Sequence, residues 1–142
     1  MTPRTYTACF GLGLALLLSG SHSASAYHSY LLTVQQLNAG LAKAGGPAAK
    51  GFFLVDVRSP DEHASGVIPG TDLNIEYRDM KVRHREIGAR PNDHIVVYCQ
   101  SGKRSNIAAE TLADLGYTHV YNVQGSMDAW TAAGYPVQPV RR

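Results

Sequence analysis

Residues 95–105 read IVVYCQSGKRS and decide the fold class of this chain. Residues 95–98 are all large and apolar, which predicts a strand buried on both faces, as the strands of parallel sheets are. A short polar loop follows Cys99, and a helix is predicted from Ser105 to Leu115, with Ser105 as its N-cap and Gly116 just beyond its end. The residues expected on the buried face of that helix are Ile107, Ala108, Thr111, Leu112 and Leu115.

The same alternation of strands and helices continues on both sides of that stretch. Further strands are predicted at residues 52–57, 72–75 and 119–123. Further helices are predicted from 33 to near 45–47, from 60 to 65, from 76 to 87 and from 126 to 133. The first two begin with capping boxes, Thr33 with Gln36 and Ser59 with Glu62. The chain is therefore expected to form one α/β domain with a central, mostly parallel sheet flanked by helices.

The first 26 residues have the three parts of a secretory signal peptide. Arg4 supplies a short positive region, residues 8–18 form an apolar run, and Ala24-Ser25-Ala26 is a small-residue cleavage site. The run is shorter than the roughly 20 apolar residues of a spanning helix, so an uncleaved anchor is disfavoured. We expect cleavage near Ala26, a domain of residues 27–142 and a periplasmic or secreted location.

Composition narrows the classes of function. The chain is 44% hydrophobic and 17% charged, with a formal charge of +2 and no block of like charges, so it is expected to be globular without a nucleic-acid or membrane-surface partner. Removal of the leader also removes Cys9 and leaves Cys99 as the one cysteine of the domain. Exported domains usually use cysteines in disulfide pairs, so a single thiol is either inert and buried or reactive.

The loop after Cys99 favours the reactive alternative. Tight-loop amides and the start of a helix present N–H donors to an anion, and Lys103 and Arg104 add positive charge. Each of these features favours the thiolate, which is the nucleophile. Gly102 is expected to take a positive φ where the loop curls. A metal site is not predicted, because there is no second cysteine and no pair of histidines at ligand spacing.

Four segments in order resemble the rhodanese-type sulfurtransferases. CQSGKRS (99–105) is similar to their active-site loop, and LVDVRSPDEH (54–63) to their strand and following helix. GVIPG (66–70) resembles their G-H-I-P-G turn, and VQGSMDAW (123–130) their closing G-G-x-x-A-W segment. The resemblance covers roughly residues 31–137. The sequence departs from the family pattern at Val67, Gln124 and Ser101, and the last leaves the preferred sulfur donor open.

The resemblance implies a three-layer rhodanese-like domain that transfers sulfane sulfur from a donor such as thiosulfate to cyanide, a thiol or a protein. Cys99 would carry the sulfur as a persulfide, with no cofactor. The residues implied for the active-site loop and the donor are Gln100, Ser101, Gly102, Lys103, Arg104, Ser105 and Arg58. Asp56, Tyr98 and Trp130 are expected to be structural, and the five histidines of the domain to lie at the surface.

Two other functions fit the same fold class. A phosphatase or arsenate reductase would need five residues between cysteine and arginine, whereas four separate Cys99 from Arg104 here. A non-catalytic binding or sulfur-carrier module is the other alternative, and the intact cysteine argues against simple binding. Steady-state turnover with thiosulfate and cyanide distinguishes these alternatives from a sulfurtransferase.

Overall fold

The computed structural model describes residues 30–43 and 49–140. The predicted signal peptide, Cys9 and the predicted end of the first helix near residues 45–47 lie outside these residues. The strands are β1 (Leu31–Leu32), β2 (Phe53–Asp56), β3 (Leu73–Asn74), β4 (His94–Tyr98) and β5 (His119–Val123). The α-helices are α1 (Val34–Lys43), α2 (Pro60–Ala64), α3 (Met80–Arg83), α4 (Lys103–Asp114) and α5 (Ser126–Ala132).

The five strands form one sheet in the order β1-β5-β4-β2-β3, and all four neighbouring pairs are parallel. The predicted α/β class with a parallel sheet is confirmed. The sequence did not indicate β1, because two residues are too few to show a periodicity. β4 lies at the centre, so the residue that follows it is surrounded by the carboxyl ends of β2 and β5.

Apolar side chains alternate between the two faces of the sheet and form two cores. One core lies beneath α3 and α4 and includes Val55, Val57, Ile75, Met80, Ile95, Val97, Cys99 and Leu112. The other lies beneath α1 and α5 and includes Leu37, Leu54, Ile68, Val96, Tyr98, Val123 and Trp130. Helices thus cover both faces of the sheet, which confirms the three-layer architecture. No helix in the described part of the chain is long and apolar enough to cross a membrane.

Both predicted capping boxes are present. The Thr33 amide donates to the side chain of Gln36 at 2.9 Å, and the Gln36 amide donates back to the Thr33 hydroxyl at 3.1 Å. Ser59 and Glu62 make the same reciprocal pair at the start of α2. These bonds satisfy amides that have no partner inside the helix.

The predicted helix over residues 76–87 is wrong as a single element. The segment divides into a 3₁₀ turn at Tyr77–Asp79, the short α3, and a second 3₁₀ turn at His84–Ile87. Met80 and Ile87 are its buried residues, whereas Val82 is 84% exposed. One buried side chain per seven residues cannot anchor a continuous helical face, since such a face needs apolar residues every three or four positions.

The helix after the Cys99 loop begins earlier than predicted and presents a different face. α4 starts at Lys103 with Gly102 as its N-cap, so the prediction of Ser105 as N-cap is wrong. Its buried residues are Ser105, Ala108, Ala109 and Leu112, whose spacing is that of one helical face. Ile107, predicted to be buried, is 51% exposed, because the face that carries Ser105 and the small alanines is turned toward β4 and β5.

Truncation of two apolar residues on α4 tests this orientation. Leu112→Ala is expected to lower the free energy of unfolding by about 2–5 kcal/mol, because it leaves a cavity in a close-packed core. Ile107→Ala is the matched control and is expected to change it by at most about 0.5 kcal/mol, as surface substitutions do. Urea denaturation of both variants measures the difference, and equal losses would contradict the orientation.

Candidate active site

Cys99 lies directly after β4, at the edge of the sheet where the carboxyl ends of the strands meet. Arg58 follows β2 at the same edge, and Ser126 begins α5 just after β5. In α/β sheets, ligands bind at this edge. The topology therefore brings residues from three neighbouring strands to the single described thiol.

Backbone and hydroxyl donors surround the Cys99 sulfur. The Gly102 amide donates to Sγ at 3.1 Å and the Ser105 hydroxyl lies 3.3 Å from it. Burial opposes ionisation of Cys99, which has no exposed surface, but the Ser105 hydroxyl and the amides of Ser105, Gly102 and Ser101 outweigh it and lower the pKa of the thiol. The predicted anion-stabilising loop is therefore present in this geometry.

Gly102 permits this curl. Its φ is +102°, as predicted, and its backbone lies against β5 and the start of α5. A Cβ at this position would stand 3.4 Å from the Gly125 amide nitrogen. That distance is an ordinary contact, so it is the positive φ that favours glycine here.

The first residues of α5 hold the other side of the loop. The Met127 amide donates to the Cys99 carbonyl at 3.1 Å, and the Asp128 amide donates to the Gln100 carbonyl at 2.9 Å. The Gln100 side-chain amide also donates to Asp128 at 2.6 Å. The carbonyls of Cys99 and Gln100 thus accept hydrogen bonds from amides of α5 that have no partner inside the helix. The loop carbonyls point toward α5, and the loop amides face the sulfur.

Three buried polar side chains form a network beneath the sulfur. The Ser105 hydroxyl lies 2.6 Å from the Asn122 Oδ1 and 3.4 Å from the Ser126 hydroxyl. The Ser126 hydroxyl accepts a hydrogen bond from the Cys99 amide at 3.1 Å and donates one to the Val123 carbonyl at 3.0 Å. The sequence analysis did not identify Asn122 and Ser126, and a polar residue late in a buried strand was the signal available for Asn122.

Arg58 lies beneath the loop rather than on its surface. It is 4% exposed, and its guanidinium bonds both carboxylate oxygens of Asp56 and, at 2.6 Å, the Gly66 carbonyl. Its Nη1 lies 3.5 Å from the Gln100 Oε1. The Nε and Nη2 donors of Arg58 are therefore engaged inside the protein, and the expectation that Arg58 binds an anionic donor stays a prediction.

The two cations of the loop differ in their surroundings. Arg104 makes a two-point ion pair with Glu62 at 2.7 and 2.8 Å. This contact lowers the pKa of Glu62 to about 2 and raises that of Arg104. Much of the Arg104 charge is therefore offset by Glu62, whereas Lys103, the first residue of α4, is exposed. Gln100 is half-buried and Ser101 is exposed beside it.

The aromatic residues expected to be structural are buried. The Tyr98 hydroxyl is held by the Ile68 amide at 3.2 Å and by Thr71 at 2.8 Å, and burial raises its pKa. Trp130 is 1% exposed and its indole donates to the Pro136 carbonyl at 2.8 Å.

Two of the four described histidines, His63 and His84, are less exposed than the surface locations predicted for them. His63 is half-buried with Nδ1 3.0 Å from Asp56, and His84 is half-buried with Nδ1 2.8 Å from the Tyr117 hydroxyl. Each contacts a polar partner, seven positions away for His63 and 33 positions away for His84. His94 and His119 are exposed as predicted, and His28 lies outside the described residues. Residues 30–43 and 49–140 contain no group of three or more potential metal ligands among His, Cys, Asp and Glu.

Curated relatives share sequence with this domain. A sulfurtransferase of Allochromatium vinosum is 40% identical over 86 residues, which are 60% of this chain and 77% of that protein. The thiosulfate sulfurtransferase PspE of Escherichia coli is 36% identical over 74 residues, 52% of this chain and 70% of that protein. A putative sulfur carrier protein of Bacillus subtilis, YrkF, is 36% identical over 55% of this chain and 40% of its own length. These relatives support sulfur transfer as the general function.

The fold has solved counterparts. A rhodanese-like domain from Anabaena superposes with a TM-score of 0.67 over 80% of this chain and 81% of that structure. At 22% identity this likeness concerns the fold. The family model of the rhodanese-like domain matches residues 33–133. These residues include the whole Cys99 loop and every strand of the sheet except β1. The chain is therefore a member of the rhodanese-like domain family.

Proposed function

We propose that this protein is an exported thiosulfate sulfurtransferase that works through a persulfide on Cys99. The observation that carries the proposal is the set of amide and hydroxyl donors directed at the Cys99 sulfur. Such donors stabilise an anionic sulfur in a site from which water is excluded. The curated relative named as a thiosulfate sulfurtransferase supports thiosulfate as the donor.

The reaction has two displacements at sulfur. The Cys99 thiolate attacks the outer sulfur of thiosulfate, the sulfur–sulfur bond of the donor breaks, and sulfite leaves with the bonding electron pair. The resulting terminal sulfur of the Cys99 persulfide carries the negative charge. An acceptor (cyanide, a thiol or a protein cysteine) then attacks that terminal sulfur, and the electron pair returns to Cys99 as thiolate. This is a ping-pong scheme that requires no cofactor.

The size of the loop favours this chemistry over transfer of a phosphoryl group. Four residues separate Cys99 from Arg104, and Arg104 is paired with Glu62. A phosphatase on this fold would need a longer loop whose arginine contacts the tetrahedral anion. A sulfur carrier that loads Cys99 without turnover is the second candidate, and the likeness to the putative carrier of Bacillus subtilis favours it.

Replacement of the nucleophile tests the covalent step. Cys99→Ser is expected to reduce turnover of thiosulfate and cyanide below about a thousandth of wild type, a loss of about 4 kcal/mol of barrier stabilisation, because a serine hydroxyl is not ionised near neutral pH. Intact-protein mass spectrometry after thiosulfate treatment should show one added sulfur atom on wild type and none on the variant. Turnover retained by Cys99→Ser would refute the mechanism, and stoichiometric loading of wild type without turnover would indicate a carrier.

Lys103, the exposed cation that follows the loop, is expected to attract the donor. Lys103→Ala should raise the KM for thiosulfate about two- to fivefold with little change in kcat, since an exposed ion contact contributes about 0.5–1 kcal/mol. The effect should shrink as salt is added, because charges are screened over about 8 Å at physiological ionic strength. Lys43→Ala, at the exposed end of α1, is the charge-matched control. Equal KM values for the two variants would contradict the proposed role of Lys103.

Export is a separate part of the proposal and rests on the sequence of residues 1–26. N-terminal sequencing of protein recovered outside the cytoplasm is expected to begin at Tyr27 or within a few residues of it. Leu16→Arg, which interrupts the apolar run, should leave uncleaved protein inside the cell because the signal peptide would lose its hydrophobic core. A soluble cytoplasmic protein that retains Met1 in the unmodified chain would contradict this prediction.

A further inference from the structure

The Ser105 hydroxyl has one hydrogen and two acceptors within reach. Its oxygen lies 3.3 Å from the Cys99 sulfur and 2.6 Å from the Asn122 Oδ1. A hydroxyl donates a single hydrogen bond, although its oxygen accepts others. The sulfur and the amide oxygen therefore cannot both receive the Ser105 hydrogen at the same time.

The Asn122 side chain is fixed with its oxygen toward Ser105. Its Nδ2 donates to the Gly102 carbonyl at 3.2 Å, and a flipped amide would place two oxygens against each other there. Asn122 is 1% exposed and lies in β5, where its backbone pairs with both Val97 and Leu31. The competing acceptor is thus held in place by the sheet.

Ser126 does not fill the same role. Its hydroxyl accepts a hydrogen bond from the Cys99 amide and donates its own hydrogen to the Val123 carbonyl, so that hydrogen is not available to Ser105 or to the sulfur. Its oxygen is 3.4 Å from that of Ser105, a longer contact than the one that Asn122 makes. Asn122 is therefore the stronger acceptor for Ser105 besides the sulfur.

We propose that Asn122 is a positioning residue that competes with Cys99 for the hydrogen of the Ser105 hydroxyl. In the thiol form Ser105 donates to Asn122, and the Cys99 S–H donates to the Ser105 oxygen. When the thiol proton leaves the site, the Ser105 hydroxyl rotates and donates to the sulfur anion, and Asn122 loses that bond. The covalent O–H bond of Ser105 stays intact, so the step is a rotation and not a second proton transfer.

This inference rests on the proposed role of Cys99 as nucleophile and assigns two residues that control the ionisation of its thiol. Asn122 stabilises the thiol form, because its bond with Ser105 is complete only when the sulfur is neutral. Ser105 stabilises the thiolate by donating to it. The two residues are in contact and are expected to act on the ionisation of Cys99 in opposite directions.

The charged groups around the site are distinct from this pair. Arg104 of α4 favours the thiolate by its charge and is itself paired with Glu62 of α2. Asp128 of α5 is bonded to Gln100, and Arg58 after β2 is bonded to Asp56. Variants at Asn122 and Ser105 leave all of these charges in place, so their effects report on the hydroxyl.

The test follows iodoacetamide alkylation of Cys99 against pH in the absence of any sulfur donor. The wild-type midpoint is expected below about 8.5, the value for an ordinary cysteine. Asn122→Ala should lower it further, by about 0.5–1 pH unit, and Ser105→Ala should raise it by a similar amount, as expected for gain or loss of one hydrogen bond. In the double variant Asn122→Ala/Ser105→Ala, the midpoint should equal that of Ser105→Ala alone, since no Ser105 hydroxyl is present for which Asn122 and the sulfur could compete.

The sign of the shift separates positioning from simple support of the loop. If Asn122 only held the loop together, its removal would loosen the amides around the sulfur and raise the midpoint. The Gly102 carbonyl also accepts the Asn106 amide at 3.1 Å, so it keeps a partner in the variant. A raised or unchanged midpoint for Asn122→Ala would overturn the proposal.

Two further variants complete the design. Asn122→Leu keeps the volume of the side chain without its oxygen and should reproduce the downward shift if the alanine variant is too unstable to titrate. Asn74→Ala is the matched control, because Asn74 also lies near the carboxyl end of a parallel strand and donates to two backbone carbonyls, those of Asp56 and Arg58. Asn74→Ala should leave the alkylation midpoint unchanged, and a downward shift equal to that of Asn122→Ala would overturn the proposal. Failure of persulfide formation with these shifts intact would instead contradict the proposed sulfur transfer.

Discussion

The Cys99 sulfur has no exposed surface, and a charge on it can persist only because fixed donors replace water around it. The Gly102 amide and the Ser105 hydroxyl supply the closest of these donors. Much of the surrounding architecture serves this requirement. Gly102 takes a conformation that turns the loop amides toward the sulfur, and the loop carbonyls turn outward to the start of α5.

The start of α5 carries conformational strain that fits the same requirement. Ser126 is the one described non-glycine residue with a positive φ, at +47°, a conformation that costs on the order of 1 kcal/mol. In that conformation its hydroxyl accepts a hydrogen bond from the Cys99 amide and donates one to the Val123 carbonyl. The preceding Gly125 cannot be replaced easily, since a Cβ there would lie 2.6 Å from the Cβ of Ala129. The local strain is offset by the bonds that hold the loop.

Most charges near the site support its shape. Asp56 is fully buried and bonds Arg58 and His63, which fixes the residues that follow β2 beneath Gln100. Arg104 and Glu62 connect α4 to α2 beside the loop. Because these ions are paired, stabilisation of the sulfur anion falls mainly to the neutral donors of Ser105, Gly102 and Ser101.

The sequence by itself determined the fold class, the two capping boxes, the place of Cys99 at the end of a buried strand and the positive φ of Gly102. All of these depend on neighbouring residues: an apolar run, a box of four residues, or a loop between a strand and a helix. The tertiary structure decided the rest. Ser105 became a buried partner of the sulfur instead of an N-cap, Arg58 became part of a buried ion pair, and Asn122 and Ser126 entered the site from β5 and α5. The contacts of Asn122 with Ser105 and of Ser126 with Cys99 join residues 17 and 27 positions apart and depend on which strands lie side by side, and no local pattern in the sequence carries that information.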